Sequence, residues 1–201
     1  MLYWVVRAIM GGIVSALFGL EVSGRENVPS SGPVIVCSNH IAWLDPVVLA
    51  MVVPLKISFM AKEELFRYPV FGQVLRGVGA FPVKRGKADR GAIHAASTVL
   101  RQGGVLGMFP EGTRSRTGEM GKGHNGAAYV AVRNRAAVLP VAIIGPYRVG
   151  RRVRVNIGKA MTLAGSEDRV SSQEMGEAAA RVMEAIAGLL NRRQASAGQT
   201  G

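Results

Sequence analysis

Two hydrophobic periods succeed one another along this chain and divide it into strands and helices. Continuous apolar, β-branched runs bounded by turn residues read as buried strands, and they occupy 33–37 (PVIVC), 57–61, 80–83, 105–109 and 138–144. Between them, helical spacing predicts 45–53, with Asp45 as N-cap, Pro46 at the first helical position and Pro54 as the stop. Further helices are expected over 63–76, with a break at Pro69, over 88–102, ended by Gly103 and Gly104, and over 126–134. Ser171-x-x-Glu174 is a capping box ahead of Met175, Ala179, Val182, Ile186 and Leu190, which repeat at helical spacing. In 153–157 arginine alternates with valine, the pattern of an antiparallel edge strand protected by charge. Strands alternating with helices imply one α/β sandwich domain over 22–190 with a mainly parallel sheet, followed by a polar, disordered tail over 191–201.

The segment 1–21 is set apart by being almost wholly apolar, interrupted only by Arg7 and by Gly11-Gly12. A membrane span needs about 20 apolar residues, so the length is barely sufficient, and the arginine argues against crossing. The expectation is a membrane-associating helix inserted in one leaflet, with a buried core helix and a true span as the alternatives. A signal peptide would carry its charge first and a small-residue cleavage site afterwards, and neither is clear here.

With 201 residues, 48% of them hydrophobic, the chain suits one domain with a sizeable core. Its formal charge of +12 calls for an anionic partner: nucleic acid, an anionic membrane surface or a phosphorylated small molecule. Few aromatics and no helix-turn-helix, zinc or single-strand-binding signature argue against nucleic acid. The basic series Arg148, Arg151, Arg152 and Arg154 suits lipid headgroups. One cysteine, Cys37, allows no internal disulfide and no thiolate cluster, which fits a reducing compartment. At the end of an apolar run it reads as a buried, inert thiol. Histidines 40, 94 and 124 have no ligand spacing, so no metal is expected.

Three segments could carry chemistry. In SNHIAWLDP (38–46), His40 and Asp45 would not share a helical face, so a loop beyond the first strand is implied. Ligands of open α/β sheets collect at that edge. Asp45 either folds back to orient the imidazole, leaving the other ring nitrogen as a base, or merely caps its helix. In FPEGTRSR (109–116), Gly112 and the amides after it can form an anion nest, Arg114 supplies a bidentate fork, and Glu111 supports Arg114 or a backbone amide. In GAFPVKRG (79–86), Lys84 or Arg85 adds charge to an anion site, although such a pair is commonly only solvated surface.

Taken in order, NHIAWLD, GAFPVKRG, FPEGTRS and VLPVAIIG resemble the four sequence blocks of the glycerolipid acyltransferases, above all the lysophosphatidic acid acyltransferases of the bacterial PlsC type. The resemblance covers roughly 22–163. It implies transfer of a fatty acyl group from acyl-CoA or acyl carrier protein to the sn-2 hydroxyl of a lysophospholipid, with no cofactor and no metal. By position, His40 becomes the general base and Asp45 its orienting partner, while Gly112, Thr113 and Arg114, with Lys84 or Arg85, would hold the phosphate and Glu111 would support that loop. Ala42 stands where many members carry serine, and GKGHNGAA stands where a more basic stretch is frequent. Other acceptors therefore stay open: a different lysolipid, an ornithine lipid or glycerol-3-phosphate. A non-catalytic anion-binding module at the membrane surface is the reading from another class. The implied location is the cytoplasmic side of the cell membrane, peripheral or monotopic.

Overall fold

The structure is a computed structural model that describes residues 1–84, 89–115, 117–163 and 171–197. Its elements in chain order are α1 (Leu2–Phe18), β1 (Leu20–Ser23), β2 (Val34–Ser38), α2 (Asp45–Val52), β3 (Ile57–Lys62), α3 (Pro69–Gly77), β4 (Phe81–Val83) and α4 (Arg90–Arg101). They continue with β5 (Val105–Met108), α5 (Gly126–Arg133), β6 (Ala137–Ile144), β7 (Val153–Ile157) and α6 (Ser172–Ala197).

The strands form one seven-stranded sheet in the order β1-β7-β6-β2-β5-β3-β4. From β6 to β4 every neighbour is parallel, which brings the carboxyl ends of β2, β3, β4, β5 and β6 to one edge. β7 runs antiparallel to β6, and β1 runs parallel to β7. Successive side chains of β2 point to opposite faces, and two cores result. Val34 and Val36 pack with Val48, Leu49 and Val52 of α2 and Val14 of α1; Ile35 and Cys37 pack with α4, α5 and α6. The expected α/β sandwich with a mainly parallel sheet is thus present. Val138, Leu139 and Val141 are fully buried, and Pro140 lies between the β6–β7 ladder, which begins at Val141, and the separate bridge from Val138 to Met161. Its missing N–H therefore costs no ladder bond on that side.

The break expected at Pro69 is real: a 3-10 turn over Glu63–Arg67 precedes α3. The capping box at α6 also forms, with the Glu174 carboxylate accepting from the Ser171 amide at 2.7 Å and the Ser171 hydroxyl accepting from the Glu174 amide at 3.1 Å.

Three expectations need correction. β7 is antiparallel as expected but not an edge, because Leu20–Ser23 covers its outer side. The first helix does not run over 1–21: it stops at Phe18, where Gly19 takes a φ of 64°, and the chain enters β1 at once. A residue with a side chain would be strained in that left-handed turn. At the other end, α6 continues to Ala197, past the expected start of a disordered tail at 191.

Helix α1 takes the core role on one side and leaves its other side exposed. Tyr3, Gly11 and Val14 are buried, and Arg7 donates to the Ala50 and Met51 carbonyls at the end of α2, at 2.5 and 3.1 Å. A cation at a helix C-terminus satisfies carbonyls that lack intrahelical partners. On the outer side Leu2, Trp4, Val5, Ile9, Ile13 and Leu17 are exposed. Among the described residues no helix is long and apolar enough to cross a membrane.

Candidate active site

At the end of β2 the buried side chain of Asn39 acts as a short extra rung of the sheet. Its Nδ2 donates to the Ile143 carbonyl at 2.9 Å, and its Oδ1 accepts from the Ile143 amide at 2.8 Å. This latch to β6 fixes the point where the chain leaves the sheet, and His40 follows directly.

Asp45 is fully buried, and its carboxylate is spent upstream. Oδ2 accepts from the amides of Ile41 and Ala42 at 2.6 and 2.7 Å and from His40 Nδ1 at 2.7 Å, while Oδ1 accepts from the Tyr147 hydroxyl at 2.7 Å. The expected N-cap is therefore corrected: Leu44 is the N-cap, and no side chain caps α2. Residues 41–44 fold back over the carboxylate, so the amides nearest to it belong to the loop rather than to the helix. A carboxylate holding two backbone N–H groups is an acceptor, which makes Nδ1 the protonated nitrogen of a neutral His40. The imidazole stacks on Phe109, with centroids 4.0 Å apart and planes 15° from parallel, and Phe59 backs Phe109. With 12% of the side chain exposed, Nε2 faces no hydrogen-bond partner among the described residues and is free to act as a base.

The turn after β5 grips the main chain of the same histidine. Glu111 Oε1 accepts from the His40 amide at 3.0 Å, and the His40 carbonyl accepts from the Ser115 amide at 2.8 Å. Glu111 Oε2 accepts from the Gly121 amide at 2.7 Å, so the buried carboxylate ties the two ends of its own loop to the loop that carries His40. Of the two supporting roles open to Glu111, the structure shows the backbone-amide one. Gly112 turns with a φ of 68°, and a Cβ there would meet the His124 ring at 3.3 Å. Beyond this turn lies a cavity of about 460 Å³ lined by Glu111, Thr113, Arg114, Ser115, Lys122 and His124 among others. The Arg114 guanidinium carbon sits 3.9 Å from the centre of the Trp43 ring.

His40, Asp45, Glu111, Gly112, Thr113 and Arg114 therefore come together. Lys84 directly follows β4, two strands beyond β5 on the same sheet edge, and lines a separate, largely apolar cleft with Phe81 and Ala92. Its amide donates to Asp89, whose carboxyl is held below the usual range by the amides of Lys84 and Ala92. Arg85 lies outside the described residues. Cys37 is buried as expected, and burial pushes its thiol up to about 12. Among the described residues no three metal-ligating side chains gather.

Trp43, Phe109 and Tyr147 join the site without having been expected there, and so does His124, which was read only as a histidine with no ligand spacing. The first two lie inside quoted segments and were legible as aromatics flanking charged groups. His124 carried a signal in GKGHNG, where a basic stretch was expected. Tyr147 carried none beyond following a Gly-Pro turn.

A histidine oriented by a buried carboxylate, beside a polar cavity that carries Arg114 and Lys122 at the carboxyl edge of a parallel sheet, is the arrangement of an enzyme that works by general-base chemistry. The chain belongs to the acyltransferase family, whose model matches residues 19–144. It is 33% identical over 135 residues to 1-acyl-sn-glycerol-3-phosphate acyltransferase of Bacillus subtilis, covering 67% of each chain. It is 34% identical over 144 residues to lyso-ornithine lipid O-acyltransferase of Brucella abortus, covering 65% of this chain and 52% of that one. Among solved structures, the 1-acyl-sn-glycerophosphate acyltransferase PlsC of Thermotoga maritima shares the fold, with a TM-score of 0.77 and 24% identity over 95% of this chain and 79% of that one.

Proposed function

We propose that this acyltransferase moves a fatty acyl group from acyl-CoA or acyl carrier protein to the sn-2 hydroxyl of lysophosphatidic acid, giving phosphatidic acid. The observation that carries the reading is that one turn, 109–115, both lines the cavity that holds Arg114 and clasps the main chain of His40. Base and phosphate site are then parts of one rigid unit, which fixes the acceptor hydroxyl relative to Nε2 once its phosphate is held.

His40 Nε2 takes the hydroxyl proton as the oxygen attacks the thioester carbonyl. The C–S bond breaks, and the imidazolium returns the proton to the departing thiolate, so His40 ends neutral. Asp45 supports the transient imidazolium. Arg114, with Thr113, holds the phosphate, and Gly112 supplies the tight turn that presents them, its own amide being engaged by the Phe109 carbonyl. General-base assistance of this kind contributes about 10² to 10⁴ in rate, and fixing the two reactants together contributes much of the rest. The thioester is already activated, so the reading calls for no cofactor and no metal.

The exposed apolar residues of α1, together with Trp43 and with Tyr68, Val70 and Phe71 around the start of α3, rest in the headgroup region. Their exposure supports a monotopic or peripheral enzyme, and the chain's positive charge favours the cytoplasmic side of the cell membrane, where it would meet anionic lipid.

The test is thiol release from acyl-CoA that depends on added lysophosphatidic acid, using the purified protein in vesicles. His40→Ala should remain folded and lose about 10² to 10⁴ in rate; near-normal transfer in that variant overturns the reading. The Brucella relative favours a lyso-ornithine lipid as a second acceptor. A panel containing both acceptors and both donors decides between them by the ratio of kcat/KM values.

A further inference from the structure

We propose that Tyr147 is a positioning residue for the His40–Asp45 pair, its hydroxyl fixing the carboxylate that fixes the imidazole. This rests on His40 being the base. The contacts of Asp45 are unequally divided: Oδ2 holds His40 Nδ1 and the amides of Ile41 and Ala42, whereas Oδ1 holds the Tyr147 hydroxyl alone. The carboxylate is fully buried, so water cannot replace that donor. Without it, one oxygen of a buried anion is unsatisfied, and the group is free to turn and share Nδ1 between its two oxygens.

Tyr147 is built to stay in place and to stay protonated. It follows β6 through Gly145 and Pro146, its ring meets Phe18 edge-on at 5.6 Å, and the Gly150 amide just beyond it donates to the Leu17 carbonyl. Burial and the adjacent negative charge of Asp45 both push the phenol far above its ordinary range, so it remains a neutral donor at every working pH. The other charged groups are turned elsewhere: Glu111 holds the amides of His40 and Gly121, Arg114 lies on Trp43, and Arg7 is engaged at the far end of α2.

A hydrogen bond donated to a carboxylate disperses its charge. Removing that donor concentrates charge on Oδ2 and favours the imidazolium. The acid limb of the kcat/KM–pH profile should therefore move to higher pH.

The experiment compares the parent protein with Tyr147→Phe, which keeps the ring, with 3-fluorotyrosine placed at 147, which donates more strongly, and with Phe18→Leu as a packing control. Tyr147→Phe should lower kcat about tenfold, leave the acceptor KM within about twofold and shift the acid limb upward. Fluorotyrosine should shift it downward, and Phe18→Leu should lower the melting temperature without moving it. Nitrogen-15 NMR of the His40 ring should show the same order of titrations without relying on turnover. Unmoved profiles and titrations in both position-147 variants would reduce Tyr147 to packing. Unmoved acceptor-dependent turnover in His40→Ala would sink the base reading instead.

Discussion

The guanidinium of Arg114 is stacked on the Trp43 ring, its central carbon 3.9 Å from the ring centre, so a residue of the NHIAWLD block carries the cation of the FPEGTRS block. Both side chains are exposed, and a stack of this kind is worth about 0.5 to 1 kcal/mol. Trp43→Ala should therefore raise the KM for lysophosphatidic acid about two- to fivefold and leave kcat nearly unchanged. Arg114→Ala should raise it about 10- to 100-fold, because it removes charge-assisted bonds to the phosphate. Steady-state kinetics on both variants checks this, and equal KM values would remove Arg114 from the acceptor site.

Glu111 joins the His40 amide to the Gly121 amide through its two carboxylate oxygens. Glu111→Ala leaves both buried donors unpaired, at about 1 to 3 kcal/mol each, and releases the loop that carries the base. Glu111→Gln keeps one acceptor oxygen and should fall between parent and alanine in both melting temperature and kcat. A glutamine variant as damaged as the alanine variant would show that the charge, rather than the bridge, matters.

A glycine remote from the cavity should also control the histidine. Any Cβ at Gly107 would run into the Phe59 ring, Phe59 stacks on Phe109, and Phe109 stacks on His40. Gly107→Ala should push this aromatic column and lower kcat with little change in acceptor KM. A double variant with Phe59→Leu, which makes room, should recover part of the loss. Parent-like kcat in Gly107→Ala would mean that the column yields without moving His40.

Folding stability should decline on the alkaline side. Burial raises Cys37 from 9.0 to about 12, and it raises Tyr3 and Tyr147 as well. A group whose folded pKa lies above its unfolded value binds its proton more tightly when folded. Its contribution is complete below the unfolded pKa and is lost as pH rises through the folded value. For Cys37 the window runs from about pH 9 to 12. Denaturant midpoints should fall across that window, and Cys37→Ala should flatten the fall. A thiol-specific alkylating reagent should leave the native protein unlabelled at neutral pH and label it once unfolded.

How much could be read in advance depended on whether a feature was local. Strands 33–37, 105–109 and 138–144 carry their burial in their own composition, and both catalytic blocks announce themselves by placing polar residues directly after such runs. β1 was hidden because LEVS is short and continues an apolar helix, with Gly19 as the only punctuation. The direction of the Asp45 carboxylate was hidden because cap and clasp use the same residue at the same place, and only the folding of 41–44 chooses between them. Tyr147 stands 102 positions from Asp45, and no local period reports a contact made by two neighbouring strand ends.

The two-sidedness of α1 bears on how the enzyme can be handled in water. Deleting residues 1–18 would remove the exposed apolar stripe, but it would also strip Val14 from the core, Arg7 from the end of α2, and the Tyr3 hydroxyl from the Ile57 amide and Leu55 carbonyl. Truncation would trade one sticky surface for another. Polar replacements at Ile9 and Ile13, which face outward, leave those attachments in place and are the route to a detergent-free preparation.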